Sequence, residues 1–399
     1  MIPLGTVLLG LCVGLAVAPI RRPRPLAVIS WVLGAVPNEV PFLALALVAV
    51  STLPAVLSGH LPAGGWPELA LKLLASVGLA LIIVRSLRAG SALHTAMDDG
   101  LGPGWRADID PSRAARLRPH LPWLRIVLFP VPLRPHDVER TSNLAYGPRG
   151  KSNLVDVYRH RSRPANVPTL IHLHGGRFRW GRKSREARPL LHRLARQGWT
   201  CISANYQLSP TPAAGFPDHL VDAKRILAWA RTEGRTHGID PDTIILSGSS
   251  AGAHLTAMAA LTAGDPRLQP GFEGTDTSVL AAIAFYGYFG ELGGPEEPPS
   301  TPLAYLGPEA PPFLVIHGAN DTMVPVASAR ALADGLRAAA SAPVVMAELP
   351  GAQHSFDMSH SIRFESVVAA AEEFTAWVLS RRAGPTRPSL TSPGSRPPG

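Results

Sequence analysis

Cysteine is nearly absent: Cys12 and Cys201 are the only two in 399 residues. One falls in an apolar run and the other in a strand-like segment, so no disulfide framework is expected. Charge is scarce as well. Asp, Glu, Lys and Arg make up 17% of the chain against 46% apolar residues, and the net charge is +9. A basic balance can signal nucleic acid, but the arginines show no aromatic-interleaved binding pattern, so no nucleic-acid partner is expected.

Apolar residues are abundant, and they crowd before residue 90. Residues 2–20, "IPLGTVLLGLCVGLAVAPI", carry no charge and are about long enough to span a bilayer. A second uncharged run covers 40–59, and a third, 69–84, carries only Lys72 near one end. The shorter apolar piece at 26–36 is expected at the interface, or as an extension of the second span past a break at Pro37–Pro41. "AVA" at 16–18 offers a cleavage box, yet no positive charge precedes the first run, so it is expected to be retained. Arg21, Arg22 and Arg24 mark the first loop as cytoplasmic, and Arg85 and Arg88 mark the end of the third run the same way. Three spans satisfy both, giving a multi-pass cell-membrane protein whose remaining chain is cytoplasmic. Beyond Glu39 there is little charge in the spans to build a transport path.

The organisation expected is a transmembrane region over 1–90, a basic juxtamembrane segment over 91–140, the main folded domain over 141–382 and a disordered tail over 383–399. Residues 105–136 mix Arg113, Arg116, Arg118, Arg125 and Arg134 with Trp123, Leu124, Ile126, Leu128 and Phe129. That mixture suits the anionic headgroup layer. The tail is rich in Pro, Ser and Gly.

From about 150 to 382, short apolar runs alternate with helix-like segments. The runs are 154–159, 169–174, 200–206, 243–248, 280–286, 313–318 and 344–349, and the helical segments 184–197, 218–236, 251–263, 325–340 and 362–381. This alternation predicts an α/β fold with a mostly parallel sheet covered on both faces. Sites on such sheets lie at the carboxyl ends of the strands.

The residues closing these runs are suggestive. "TIILSG" leads into Gly248-Ser249-Ser250-Ala251-Gly252, a G-x-S-x-G between a strand and a helix, which would lift Ser250 onto a sharp turn. A serine hydroxyl needs a base, and the base needs an orienting acid. Asp321 follows "FLVIHG" and His354 follows "VVMAELPG", in the order Ser, acid, His. His360 lacks the strand-then-loop position, and His317 precedes the loop and is expected to support it. Attack on an ester creates an oxyanion that needs preorganised N–H donors. Ala251, after the nucleophile, offers one, and "HGG" at 174–176 offers the Gly175 and Gly176 amides.

With "NYQLSP" at 205–210, "FPDHLVDA" at 216–223, "HGANDTMVP" at 317–325 and "GAQHSF" at 351–356, residues 140–382 resemble the α/β-hydrolase superfamily. Within it they resemble the esterase and lipase group related to hormone-sensitive lipase and bacterial carboxylesterases. The resemblance implies a triad of Ser250, Asp321 and His354, an oxyanion hole of Gly175, Gly176 and Ala251, and no metal or cofactor. Arg177 stands where the family has a third glycine, and Ser249 where it has an acid. The arginine-rich stretch from Arg177 to Arg185 is either a solvated face or a site mouth that attracts anionic esters. The insertion 287–312 is a candidate lid, with Tyr288, Phe289 and Leu292 as candidate acyl-pocket residues.

The function expected is ester hydrolysis at a membrane, on a small-molecule or lipid ester, with membrane lipids as the other partner. The same constellation serves serine peptidases and amidases, and a hydrolase-like domain can also act as a binding module. Acyl length and oligomeric state are not legible in the sequence.

Overall fold

The computed structural model describes residues 2–58, 65–118, 120–293 and 297–382; the tail expected over 383–399 lies outside them. Its centre is one eight-stranded sheet in the order β1-β2-β4-β3-β5-β6-β7-β8. The strands are β1 (Val138–Ala145), β2 (Leu154–His160), β3 (Val167–Leu173), β4 (Thr200–Ala204), β5 (Ile239–Ser249), β6 (Ala281–Phe285), β7 (Phe313–Gly318) and β8 (Val344–Leu349). β2 runs antiparallel to both β1 and β4, and the strands from β4 to β8 are parallel.

The central strands are continuously apolar because both faces are covered. Every residue of β6 and of β7 is buried. On one face, Leu220, Ile226, Leu255 and Leu332 come from the helices Asp218–Thr232, Ala251–Leu261 and Ala327–Ala339. On the other, Leu190, Phe364, Val367 and Phe374 come from Arg188–Arg196 and Ile362–Arg382. The strand missing from the sequence reading is β1. It is the sheet edge, "VERTSNLA", largely exposed, so it lacks the apolar run that revealed the others.

The N-terminal part is helical: α1 (Leu4–Val17), α2 (Arg24–Glu39), α3 (Pro41–Ser58) and α4 (Gly65–Leu101). Here the structure departs from the three-span count. Among the described residues α4 alone is long and apolar enough to cross a membrane, and α2 with Pro41–Pro54 passes only as a pair bent by 81°. α1 has 14 residues. The bend falls at Val40, which sits outside the helical region at φ −128° and ψ 56°, as the residue before a proline is driven to do. Sidedness argued from three spans therefore has no counterpart in these helices.

α4 has 37 residues and at 1.5 Å per residue is about 55 Å long, well beyond the ~30 Å hydrocarbon layer. Its C-terminal half brings Ala89, Leu93, Ala96 and Met97 into the same core as Phe364 and Phe374. A boundary drawn at residue 90 thus cuts a continuous helix.

Candidate active site

β5 ends at Ser249 and a helix begins at Ala251, which leaves Ser250 alone on the turn with φ 54° and ψ −113°. A serine in this region carries strain of about 1–3 kcal/mol. Its amide donates to Phe285 O at 2.9 Å, which ties the turn to the end of β6. The turn also requires glycine at 252, where a Cβ would stand 2.1 Å from Leu173 O.

The two other expected residues meet this serine. The ring of His354, in the loop after β8, has Nε2 2.9 Å from Ser250 Oγ and Nδ1 2.7 Å from Asp321 Oδ2. With the carboxylate accepting from Nδ1–H, Nε2 is the nitrogen left to accept from the serine hydroxyl. Asp321, after β7, accepts the Met323 and Val324 amides on Oδ1, each at 2.8 Å. Burial alone would raise its pKa, but the charge of His354 and the hydrogen bonds from His317 and His354 outweigh it and hold the carboxyl below its usual range. His317 packs beneath, with Nε2 2.9 Å from Val324 O and 3.3 Å from Asp321 Oδ2. His360 pairs with Glu365 and takes no part.

The oxyanion loop differs from expectation at one amide. Gly175 N–H donates to the carboxyl of Glu186, so it is not free to meet an oxyanion. Among the described residues the amides of Gly176 and Arg177 have no hydrogen-bond acceptor, and Ala251 opens its helix, where the first amides lack intrahelical partners. Gly176 sits at φ 122°, and a Cβ there would fall 1.8 Å from Trp180 O. Arg177 itself adopts φ 56°, so it follows the turn without a glycine.

Ser250 and His354 open onto a cavity of about 340 Å³, lined also by Phe178, Tyr288, Leu292 and Met323. Tyr288 and Leu292 of the insertion are thus at the pocket, whereas Phe289 turns into the core. Of the basic stretch only Arg177 lines the cavity, while Lys183 is paired with Asp156 at 2.6 Å. Arg24 joins Arg177 there, with Glu291 as the carboxylate of the wall.

Sequence reasoning missed several residues. Arg24 comes from α2, and so does Trp31, whose Nε1 donates to His354 O at 3.0 Å while its ring meets the His354 ring edge-on at 6.0 Å. Thr322 Oγ1 donates to Ala27 O at 2.9 Å. Gln353 Oε1 accepts from the Thr322 amide at 2.7 Å and the His354 amide at 3.0 Å, linking the acid and histidine loops. Arg24 and Trp31 carry no strand-end motif, and Thr322 and Gln353 stand inside the motifs at 317–325 and 351–356, which do not show what they bond. Behind the serine lie His172, Glu186 and Asp357, with a ring nitrogen or carboxyl oxygen of each within 4.8 Å of the others. All three are engaged in hydrogen bonds, His172 with Ser247 at 3.0 Å and Asp357 with Ser249 at 2.5 Å.

A mostly parallel sheet with a serine raised on the turn after its central strand, and an acid and a histidine on later strand ends, is the α/β-hydrolase architecture. Matches to known proteins agree. Residues 155–290 match the BD-FAE family and residues 272–380 the dienelactone hydrolase family. The chain is 38% identical to esterase LipQ of Mycobacterium tuberculosis over 76% of its own length and 78% of that protein. It is 35% identical to the same organism's probable carboxylic ester hydrolase LipM, over 94% and 93% of the two chains. Esterase 2 of Thermogutta terrifontis, phosphonylated by sarin, superposes with a TM-score of 0.52 at 21% identity, covering 61% of this chain and 96% of that one. The chain belongs to the α/β-hydrolase esterases.

Proposed function

We propose that this esterase is a membrane-associated serine hydrolase in which Ser250 is the nucleophile, His354 the proton carrier and Asp321 the orienting acid. The observation that supports this most directly is the hydrogen-bonded line from Asp321 through His354 to Ser250, at 2.7 and 2.9 Å, opening onto the cavity. In this reading Ser250 Oγ attacks the ester carbonyl as its proton passes to His354 Nε2. The Gly176, Arg177 and Ala251 amides stabilise the oxyanion. His354 then protonates the departing alcohol, and water, deprotonated by the same nitrogen, releases the acid and frees Ser250.

A cavity of about 340 Å³ is at the small end of ligand pockets and suits short acyl groups. Arg24 and Arg177 on its wall favour esters that carry an anionic group. Membrane association rests on exposed apolar surface. Only 22% of the apolar window of α4 is buried, and Leu74, Val77, Leu47 and Val50 are among the exposed side chains of α3 and α4. Leu124, Leu128, Phe129 and Leu133 extend such surface beyond α4, and a contiguous apolar surface of this kind marks a membrane or partner contact.

Hydrolysis of p-nitrophenyl esters of rising acyl length, compared between the full chain and Ser250→Ala, tests the reading. Turnover should be highest with short acyl groups and fall on the order of 10³-fold or more in the variant. Equal turnover in both proteins would remove Ser250 from the mechanism.

A further inference from the structure

A second buried network lies behind the serine, and it touches the oxyanion loop, the nucleophile turn and the ring of His354. The Glu186 carboxyl accepts the Gly175 amide. Glu186 and Asp357 are both buried and bring carboxyl oxygens within 4.8 Å of each other. Asp357 accepts from Ser249 Oγ, next to the nucleophile, at 2.5 Å and also from the Tyr286 hydroxyl. Tyr286 in turn packs its ring against His354, with centroids 4.6 Å apart. Gly175 is the point of contact with the nucleophile. A Cβ there would stand 3.0 Å from Ser250 Cβ and 3.2 Å from Glu186 Oε2, so the acid and the serine flank one glycine.

Two carboxyl groups this close and this dry do not both ionise. Asp357 accepts two hydroxyl hydrogen bonds, which favour its charged form, whereas Glu186 accepts one amide. Glu186 is therefore the member that keeps a proton, and burial together with the Asp357 charge pushes its pKa up to about 8. The surrounding groups leave that balance to the pair. His172 and His174 are held neutral by burial, with pKa values near 3 and 4. Tyr206 and Tyr286 are raised well above the phenol range by burial. Arg185, on the Glu186 segment itself, is the opposing charge. His354 faces the network through the Tyr286 ring.

We propose that Glu186 is a positioning residue of this esterase: its carboxyl fixes the oxyanion loop at Gly175, and its proton keeps the wall behind the oxyanion free of a second negative charge. Ionisation would place that charge beside a developing oxyanion and raise the barrier. The inference rests on Ser250 being the nucleophile, and the two can fail separately.

The test is the pH profile of kcat/KM on a p-nitrophenyl ester in the full chain, Glu186→Gln, Glu186→Ala and Asp357→Asn, with Ser250→Ala as control. The parent should lose activity as pH rises through about 8. Glu186→Gln, which retains an acceptor for Gly175 but cannot ionise, should be up to about tenfold slower at neutral pH and show no alkaline fall. Glu186→Ala should lose on the order of 10²-fold in kcat with KM little changed. Asp357→Asn removes the charge that disfavours Glu186 ionisation, so its alkaline fall should move to lower pH. An alkaline fall that persists in Glu186→Gln, or stays in place in Asp357→Asn, overturns the proposal. Activity surviving in Ser250→Ala overturns the nucleophile assignment instead.

Discussion

Asp321 spends its two oxygens on different tasks. Oδ1 is held by two amides of its own turn and Oδ2 faces His354, so the backbone fixes the carboxylate that fixes the ring. In Asp321→Asn the amide oxygen can still accept from the turn, but the NH2 then facing His354 Nδ1 is a donor, which imposes the wrong imidazole tautomer and leaves the imidazolium of the attack step without a counter-charge. The expected outcome is a folded protein whose kcat falls on the order of 10³–10⁴-fold; a loss smaller than tenfold, with circular dichroism unchanged, would take Asp321 out of the role. Ser250, Asp321 and His354 were legible because each closes an apolar strand in a fixed chain order. Glu186 and Asp357 sit in loops with no periodicity and only the fold brings them to the site, while Gln353 stands beside His354 in the chain but its bond to the Thr322 amide does not show there. The Gly175 amide was misread for a related reason: sequence shows that a glycine is present, not which way its N–H points.

Among the elements, α2 does what no apolar count reveals. Its segment reaches both loops of the site, through Thr322 to Ala27 O and through Trp31 to His354 O. Arg21, just ahead of it, donates to Ala319 O at 3.0 Å. Losing one such hydrogen bond is worth about 1 kcal/mol. Trp31→Phe keeps an aromatic ring beside His354 but removes the N–H, so kcat should fall about fivefold with KM nearly unchanged. Trp31→Ala, losing the ring contact as well, should fall further. Two variants matching the parent in kcat would make α2 a bystander. The central strands and their helices were read to within about four residues at each end, because both faces of the sheet are buried. β1 escaped because edge position and exposure erase the pattern. α2 escaped because a short apolar helix beside a proline break reads the same whether it meets lipid or protein.

At the scale of the whole molecule, α4 joins the two halves, exposing apolar side chains along its N-terminal half and packing in the catalytic core at its other end. In the proposed reading α4 links an apolar surface that meets the bilayer to the fold that carries Ser250. Both parts of that account can be tested at once with a phosphonate probe, which phosphonylates an activated serine as its leaving group departs, applied to carbonate-washed membranes from cells expressing the full chain. The account predicts labelled protein that stays with the membranes, the adduct mapping by mass spectrometry to the peptide containing Ser250 and absent from Ser250→Ala. Label on another residue, or none on a folded protein, would contradict the nucleophile, and labelled protein released by carbonate would contradict the membrane association.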